Sequence, residues 1–360
     1  MTRIPPDWEI ETRALRAAAN RAGIVGLVDP RDLGVELESA DQLLARLRKD
    51  APHDELAERR TSRRRRAILF ASSVAAVGVL GAGVLQPWSS APVQAATPAL
   101  LDYEFADVDA IATATGKDAG VVLEGLASAA GARPESDGSG TQHVVTDSWF
   151  ADIDTRTDDT SALIPQISEN WLAPDGSLRI VERRDDPLPA DGRGLPDEGA
   201  WDDQPATADD TQPAGSIDPD LVADLPTDPA ALREALLELS GCPDTEPGTG
   251  RSLCLFDQVL ALHLTYVVPP DLDAALWEML ADEQGFRSLG DVDDRVGRPG
   301  VGISLIADER PEYRLVLIAD PHTGRLLGTE QILISSVEDL KIKAPAITGF
   351  TAILESRFVD

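Results

Sequence analysis

Cysteine is almost absent from this chain of 360 residues, which contains only Cys242 and Cys254. Their spacing is not C-x-x-C, so a redox pair is not expected. An even pair in an oxidising compartment predicts a disulfide, closed by a loop rich in proline and glycine. The alternative is that Cys254 is an ordinary buried thiol and that Cys242 is exposed and free. The sequence leaves both open.

Histidine is also scarce, and the four residues are His53, His143, His263 and His322. The spacings H-x-x-x-H and H-E-x-x-H are missing, so a zinc site is not expected. Residues 1–62 contain no cysteine, which excludes a His/Cys zinc module of the anti-sigma type in that segment.

Motifs that carry catalysis are missing as well. The chain has no G-x-S-x-G elbow, no supported S-x-x-K and no Walker loop, so neither an enzyme nor a cofactor is expected. Acidic clusters recur, and their default interpretation is a solvated surface. The best candidate among them for weak calcium binding is Asp291–Asp294.

Positive charge is sparse in the second part of the chain. Residues 89–360 carry 18 Lys/Arg and 51 Asp/Glu, out of a net charge of -31 for the whole chain. Such a field repels phosphate groups, which excludes nucleic acid and argues against anionic lipid headgroups as partners of this part.

One long apolar run is present, between residues 63 and 88. Four arginines, Arg63, Arg64, Arg65 and Arg66, precede nineteen uncharged residues that begin at Ala67, and Trp88 follows. Nineteen residues of helix span about 28 Å, close to the thickness of a bilayer's hydrocarbon core. The sequence predicts one transmembrane helix, with the arginines and Trp88 as its interfacial anchors.

The basic flank fixes the expected orientation. Arginine precedes the span and no Lys or Arg follows before Lys117, so the N-terminus is predicted to be cytoplasmic and the C-terminal part extracytoplasmic. A cleaved signal peptide ending near Val93-Gln94-Ala95 is the alternative. Some sixty residues precede the apolar run, so a retained anchor in the cell membrane is expected.

These features divide the chain into four parts. Residues 1–62 are expected to be a cytoplasmic segment, partly disordered with short helices. A more specific hypothesis is that this segment is a docking surface for a cytosolic protein. Residues 63–88 are the basic stop and the span, and 89–98 are a linker. Residues 99–360 are an α+β domain with an acidic disordered insertion at 184–218.

Within that domain the pattern predicts helices over the middle and an antiparallel meander near the end. Pro174-Asp175-Gly176 predicts a hairpin that has Trp171 on its buried face. Pro229 and Pro270 open helices, and Asp320–Gly324 is a turn between strands. Residues 348–358 are expected to add an edge strand. The expected fold is an antiparallel sheet packed by helices.

A set of turns and helix starts occurs in one order along the chain: Trp171, Pro174–Ser177, Leu225–Pro229, Leu255, Phe256, Val259, Pro269–Leu272, Ala275–Trp277, Gly290–Val292, Asp294, Gly297, Arg298, Gly300, Val301, Asp320, Pro321, Thr323, Gly324 and Leu326–Gly328. This set resembles a family of uncharacterised actinobacterial single-pass membrane proteins. The resemblance covers roughly residues 99–335 and implies fold, not chemistry.

By architecture the family looks like partners of extracytoplasmic-function sigma factors. The first hypothesis is therefore an envelope-signal sensor coupled to a cytosolic sigma factor through residues 1–62. The second is a binding module without catalytic activity, in which a curved sheet similar to lipoprotein carriers holds a lipid or a lipoprotein. A scaffold at the cell surface is the remaining alternative.

Overall fold

Ten strands and five helices make up the part of the chain that the computed structural model describes. It covers residues 97–134, 138–154, 160–186, 204–242, 246–337 and 342–359, with the backbone alone over 151–154 and 160–163. The predicted cytoplasmic segment, the span with Arg63–Arg66 and Trp88, and most of the linker lie outside these ranges. Inside them, none of the helices combines the length and the apolar character that crossing a bilayer requires.

The helices follow the start and stop signals of the sequence. Asp228 caps one of them by accepting a hydrogen bond from the Ala231 N–H, Pro229 takes the first helical position, and Gly241 ends it with a left-handed backbone. The helices are α1 (Gly120–Gly131), α2 (Leu221–Asp224), α3 (Pro229–Ser240), α4 (Thr249–Thr265) and α5 (Pro270–Ala281).

All neighbouring strands are antiparallel and form one sheet in the order β1-β6-β7-β8-β9-β10-β2-β3-β4-β5. The strands are β1 (Lys117–Asp118), β2 (Thr141–Asp154), β3 (Thr160–Leu172), β4 (Leu178–Arg184), β5 (Ala208–Gln212), β6 (Arg287–Asp293), β7 (Pro299–Leu305), β8 (Tyr313–Ala319), β9 (Leu326–Leu333) and β10 (Ala346–Val359). The predicted α+β class, with an antiparallel sheet and packed helices, is confirmed for the described residues.

Both faces of the sheet are covered, and β8 shows how. Leu315 and Leu317 pack with the helices, whereas Val316 and Ile318 face a second core. A strand buried on both faces is a continuous apolar run rather than an alternating one, as this stretch is. The covering of the second face is a segment without regular structure, residues 97–114, which we call the strap. It contributes Tyr103, Ala106 and Ile111 to that core.

Three expectations need correction. The strand predicted at 348–358 is not at an edge, because β10 pairs with β9 on one side and β2 on the other. Its apolar residues pack in both cores: Ile353 lies in the core that the helices cover, and Phe350 lies in the second core. Trp171 is half-buried on the face opposite the helices, where it stacks on His143.

The third correction concerns the acidic insertion at 184–218. Its described part contains strand β5 and a turn that returns to the hairpin, with the Gly215 N–H donating to the Asp175 carbonyl at 2.8 Å. Asp209 pairs with Arg179 of β4 at 2.8 Å, which is why so acidic a stretch pairs as an edge strand. Residues 187–203 lie outside the described ranges.

Candidate functional site

A cleft of about 370 Å³ opens between the ends of α1, α4 and α5 and the strands β9 and β10. One part of its lining is apolar and the other is charged. The apolar part consists of Val267, Val268, Leu326, Ile353 and Phe358 together with prolines, and the charged residues of the lining are Arg133, His263, Asp273, Arg325 and Arg357.

His263 and Asp273 form the floor of the charged part. His263 lies in the last turn of α4, and its Nδ1 is 2.7 Å from the carbonyl oxygen of Val259, one turn earlier. Its Nε2 is 2.7 Å from Oδ1 of Asp273, in the first turn of α5. Both side chains are almost fully buried, at 7% and 2% exposure. The pair therefore ties α4 to α5.

The hydrogen bonds of His263 define the proton count of the pair. A carbonyl oxygen can only accept, so Nδ1 carries a proton. The contact between Nε2 and Asp273 also needs a proton, on either atom. Neither ring nitrogen of His263 is left free to act as a base.

Arg133 completes this arrangement from the residues just after α1. Its Nη2 donates to Oδ2 of Asp273, and the guanidinium is about nine-tenths buried, with 10% of the side chain exposed. Its Nε is buried and has no hydrogen-bond partner within the part of the chain that the structure describes. An unsatisfied buried donor is destabilising, by about 1–3 kcal/mol and by more for charged groups. Asp273 therefore accepts from His263 and from Arg133 at once.

Arg325 lies at the rim of the cleft, and its position depends on the turn before β9. The Nε1 of Trp277, a fully buried residue of α5, donates to the Gly324 carbonyl at 2.7 Å. Asp320 accepts from the His322 N–H and from the Thr323 hydroxyl, which closes the turn. The side chain of Arg325 is exposed and forms no ion pair within the described residues.

Arg357 contributes less to the charge of the cleft. It pairs with Glu355 of the same strand and lies opposite His143 in the register of β10 and β2, on the face away from the helices. Arg298 fixes the neighbouring wall, because its guanidinium donates to the Ile353 and Leu327 carbonyls at 2.8 and 2.9 Å while Asp294 holds its Nε.

A second cluster surrounds His143 on that other face. Its ring stacks on Trp171 with the centroids 4.8 Å apart, and Glu169 and Glu355 lie 3.6 and 3.9 Å from its two nitrogens. Burial lowers the pKa of His143 because it disfavours the imidazolium, although Glu169 acts in the opposite direction.

Buried charges also fasten the strap. Tyr103 donates to Glu330 at 2.8 Å, and Arg295 donates to the same carboxylate at 2.6 Å. Burial raises the pKa of Tyr103 well above its ordinary value, and the Glu330 carboxylate adds to the effect. The buried Arg314 reaches the Ala114 carbonyl at 2.6 Å. These contacts hold the strap in place and expose no reactive group.

The predicted site residues are distributed as follows. Cys242 and Cys254 form a disulfide with their Cα atoms 6.1 Å apart, joining the residues after α3 to α4. Of the residues considered for weak calcium binding, Asp291 and Asp293 belong to strand β6, while Asp294 closes a turn with Arg298. Across the described ranges, no three His, Cys, Asp or Glu side chains are grouped so that they could hold a metal ion.

The cleft itself was missed by sequence reasoning, which placed His263 on an apolar helix and no more. One signal was available, because Val259 and His263 are four residues apart on a helix. Nothing local indicates Arg133, which is 140 residues from Asp273. Among the motifs behind the family resemblance, Pro229 and Pro270 open helices and Asp320–Gly324 is a turn, as predicted, whereas Gly290–Val292 lies inside strand β6.

Comparisons with known proteins give little beyond this geometry. No family model and no curated protein matches the chain. Among solved structures, MucB in complex with MucA(peri) matches at 12% identity and a TM-score of 0.25, over 67% of this chain and 55% of that one. MucB alone matches at 14% and 0.23, over 68% and 59%. The Pseudomonas aeruginosa MucA/MucB complex matches at 13% and 0.20, over 67% and 56%.

The chain thus spans somewhat more than half the length of these MucB structures. It is similar to them over about two thirds of its own length, at identities and TM-scores too low to assign it to their family.

Proposed function

We propose that this chain is a single-pass membrane receptor without catalytic activity. In this proposal residues 97–359 bind a ligand on the extracytoplasmic side, and residues 1–62 bind a cytosolic regulator such as a sigma factor. The anchor is the predicted span 63–88, with Arg63–Arg66 on its cytoplasmic flank.

The observation that carries the proposal is the way the strap is built into the sheet. It begins at residue 97, nine residues after Trp88, so a short connection separates it from the predicted span. Its backbone joins β6, with the Phe105 N–H donating to the Leu289 carbonyl at 2.8 Å. Its Tyr103 bonds to the buried Glu330. A rearrangement of the sheet would therefore reach the span directly.

The state of the cleft supports binding rather than catalysis. Both nitrogens of His263 are engaged, and Asp273 accepts from His263 and Arg133 at once. A general base needs an accessible lone pair near the reacting proton, and this pair offers none. The alternative of a lipid- or lipoprotein-binding module shares the same outer domain and differs in its ligand.

Orientation is tested by labelling single cysteines in intact cells. Ser39→Cys in the inner segment and the exposed Ser336→Cys in the outer domain are compared with a maleimide that cannot cross membranes. We expect Ser336→Cys to react and Ser39→Cys to react only after the cells are opened. Labelling of both in intact cells contradicts the proposal.

Coupling to a regulator is tested with the full-length protein purified from membranes of its own cells. We expect a sigma factor, identified by mass spectrometry, to co-purify with the full chain and to be lost when residues 1–62 are deleted. A matched variant, Ser336→Cys, should retain it. If the same proteins co-purify with the full chain and with the chain that lacks residues 1–62, this part of the proposal is contradicted.

A further inference from the structure

We propose that the cleft binds a carboxylate that carries a short apolar group. This proposal names the ligand class of the outer domain and rests on the proposed function for the role of the ligand as a signal. Two sources share this chemistry, a free fatty acid and the C-terminal carboxylate of a peptide with a large apolar last residue.

The charge of the cleft is the first argument. In an outer part with 51 acidic and 18 basic residues, the described lining of this cleft contains three arginines and one histidine against a single carboxylate, Asp273. Asp273 accepts from both His263 and Arg133, Arg357 pairs with Glu355, and Arg325 has no ion pair within the described residues. An anion entering here meets the guanidinium groups of Arg133 and Arg325, whereas the rest of the domain repels it.

The unsatisfied Nε of Arg133 is the second and independent argument. The side chain is about nine-tenths buried, its Nη2 is held by Asp273, and its Nε has no hydrogen-bond partner among the described residues. Unsatisfied buried donors are uncommon in folded proteins and call for an explanation. Asp273 holds the guanidinium at the lining of the cleft, and an oxygen bound against it would accept a charge-assisted bond once the atoms that cover Nε move aside.

The apolar wall and the volume define the rest of the ligand. Val267, Val268, Leu326, Ile353 and Phe358 would gain buried contact only if the ligand carries an apolar group. Val267 is fixed by its N–H bond to the Gln142 side chain at 2.9 Å. A volume of about 370 Å³ is at the lower end of the roughly 300–1,000 Å³ typical of small-molecule sites, which favours a short tail.

The experiment uses the full-length protein in nanodiscs of phosphatidylcholine, with empty nanodiscs as the blank. Calorimetric titrations compare octanoate with octanamide, which has the same tail and no charge, and with butyrate, which has the charge and a shorter tail. A dipeptide with a free C-terminal leucine represents the peptide source, and inorganic phosphate represents an anion without a tail.

Three variants locate the binding. Arg325→Gln removes the rim charge and should weaken octanoate binding about three- to fivefold, the usual range for an exposed charge pair. Arg133→Lys keeps the charge beside Asp273 and removes Nε, and should weaken it about tenfold. Arg287→Gln is the matched control, since Arg287 is an exposed arginine of β6 outside the cleft.

Saturable binding of octanoate or of the dipeptide that both cleft variants weaken and Arg287→Gln leaves unchanged supports the proposal, and the tighter of the two carboxylates identifies the source. Octanamide binding as tightly as octanoate overturns it. The proposal is also overturned if Arg287→Gln loses as much affinity as the cleft variants do. The same holds if phosphate binds as tightly as octanoate, or if neither carboxylate shows saturable binding. Because binding is measured on purified protein, such a failure is separate from a failure of the labelling and co-purification tests.

Discussion

A Cβ atom on Gly324 would lie 2.3 Å from the carbonyl oxygen of Leu126, so the turn before β9 touches the backbone of α1. Gly324 also has a positive φ of 64°. We expect Gly324→Ala to lower the free energy of unfolding by about 3 kcal/mol or more, from the backbone conformation and from the overlap together. The measurement is chemical denaturation of the full-length protein in nanodiscs, followed by circular dichroism.

Gly297→Ala is the matched control for that change. Gly297 also has a positive φ, 78°, but no atom lies within 4 Å of a Cβ placed there. It should show only the conformational part, about 1–2 kcal/mol. Equal losses in the two variants would mean that the close approach to α1 contributes nothing.

Trp277→Phe tests the bond that holds the same turn from the other side. The substitution removes the donor to the Gly324 carbonyl and part of a fully buried ring, and we expect a loss of about 2–4 kcal/mol by the same denaturation assay. Trp171→Phe, at a half-buried position on the other face, should lose about 1 kcal/mol or less. The prediction fails if Trp277→Phe is as well tolerated as Trp171→Phe.

Asp257 of α4 gives a prediction about pH. Burial raises the pKa of its carboxyl from 3.8 to about 6, so between these values the folded protein binds more protons than the unfolded one. Its contribution to stability is therefore lost as pH rises from about 4 to about 6. We expect Asp257→Asn to flatten this part of the stability profile and to raise the free energy of unfolding at pH 7.5 by about 1–3 kcal/mol.

The profile is measured by denaturation at half-unit pH intervals from 4 to 8. Asp147 of β2 has a pKa raised to about 6 for the same reason and remains in the variant, so only the difference from the wild type reports on Asp257. An unchanged slope between pH 4 and 6 would contradict the assignment.

The disulfide leads to the fourth prediction. If Cys242 and Cys254 are bonded in the isolated protein, no thiol reacts after unfolding without reductant, and two react after reduction. We expect Cys254→Ser to lower the free energy of unfolding by about 3 kcal/mol, the order given by the chain-entropy model for so short a loop. Two reactive thiols in protein isolated without reductant would show that the bond does not form.

Local signals predicted much of this fold. Three local features define α3. The Asp228 side chain accepts from a free N–H of the first turn, Pro229 has no N–H that needs a partner, and Gly241 adopts the left-handed backbone that ends the helix. Asp320–Gly324 is the predicted turn because the Asp320 carboxylate can reach the N–H and hydroxyl of the next residues. Such information is contained within a few residues of sequence.

What escaped prediction depends on contacts between distant parts of the chain. The end of β6 was interpreted as part of an acidic cluster because of Asp291 and Asp293, and its strand is defined by pairing with β1 and β7. The position of β10 in the middle of the sheet follows from its two partners, not from its own pattern. The cleft needs Arg133, His263 and Asp273 to meet across three helices, and no local spacing records that.

The placement of the strap has a consequence for the order in which this domain can be completed. Tyr103 is among the first residues of the domain to be synthesised, and its partner Glu330 follows 227 residues later. β10, which joins the meander to β2, comes last of all the strands. The second core therefore cannot close until residues 103–350 have all been made, and pairings so distant in sequence slow folding. A chain truncated before residue 346 would leave the sheet in two separate halves, with the strap attached to only one of them.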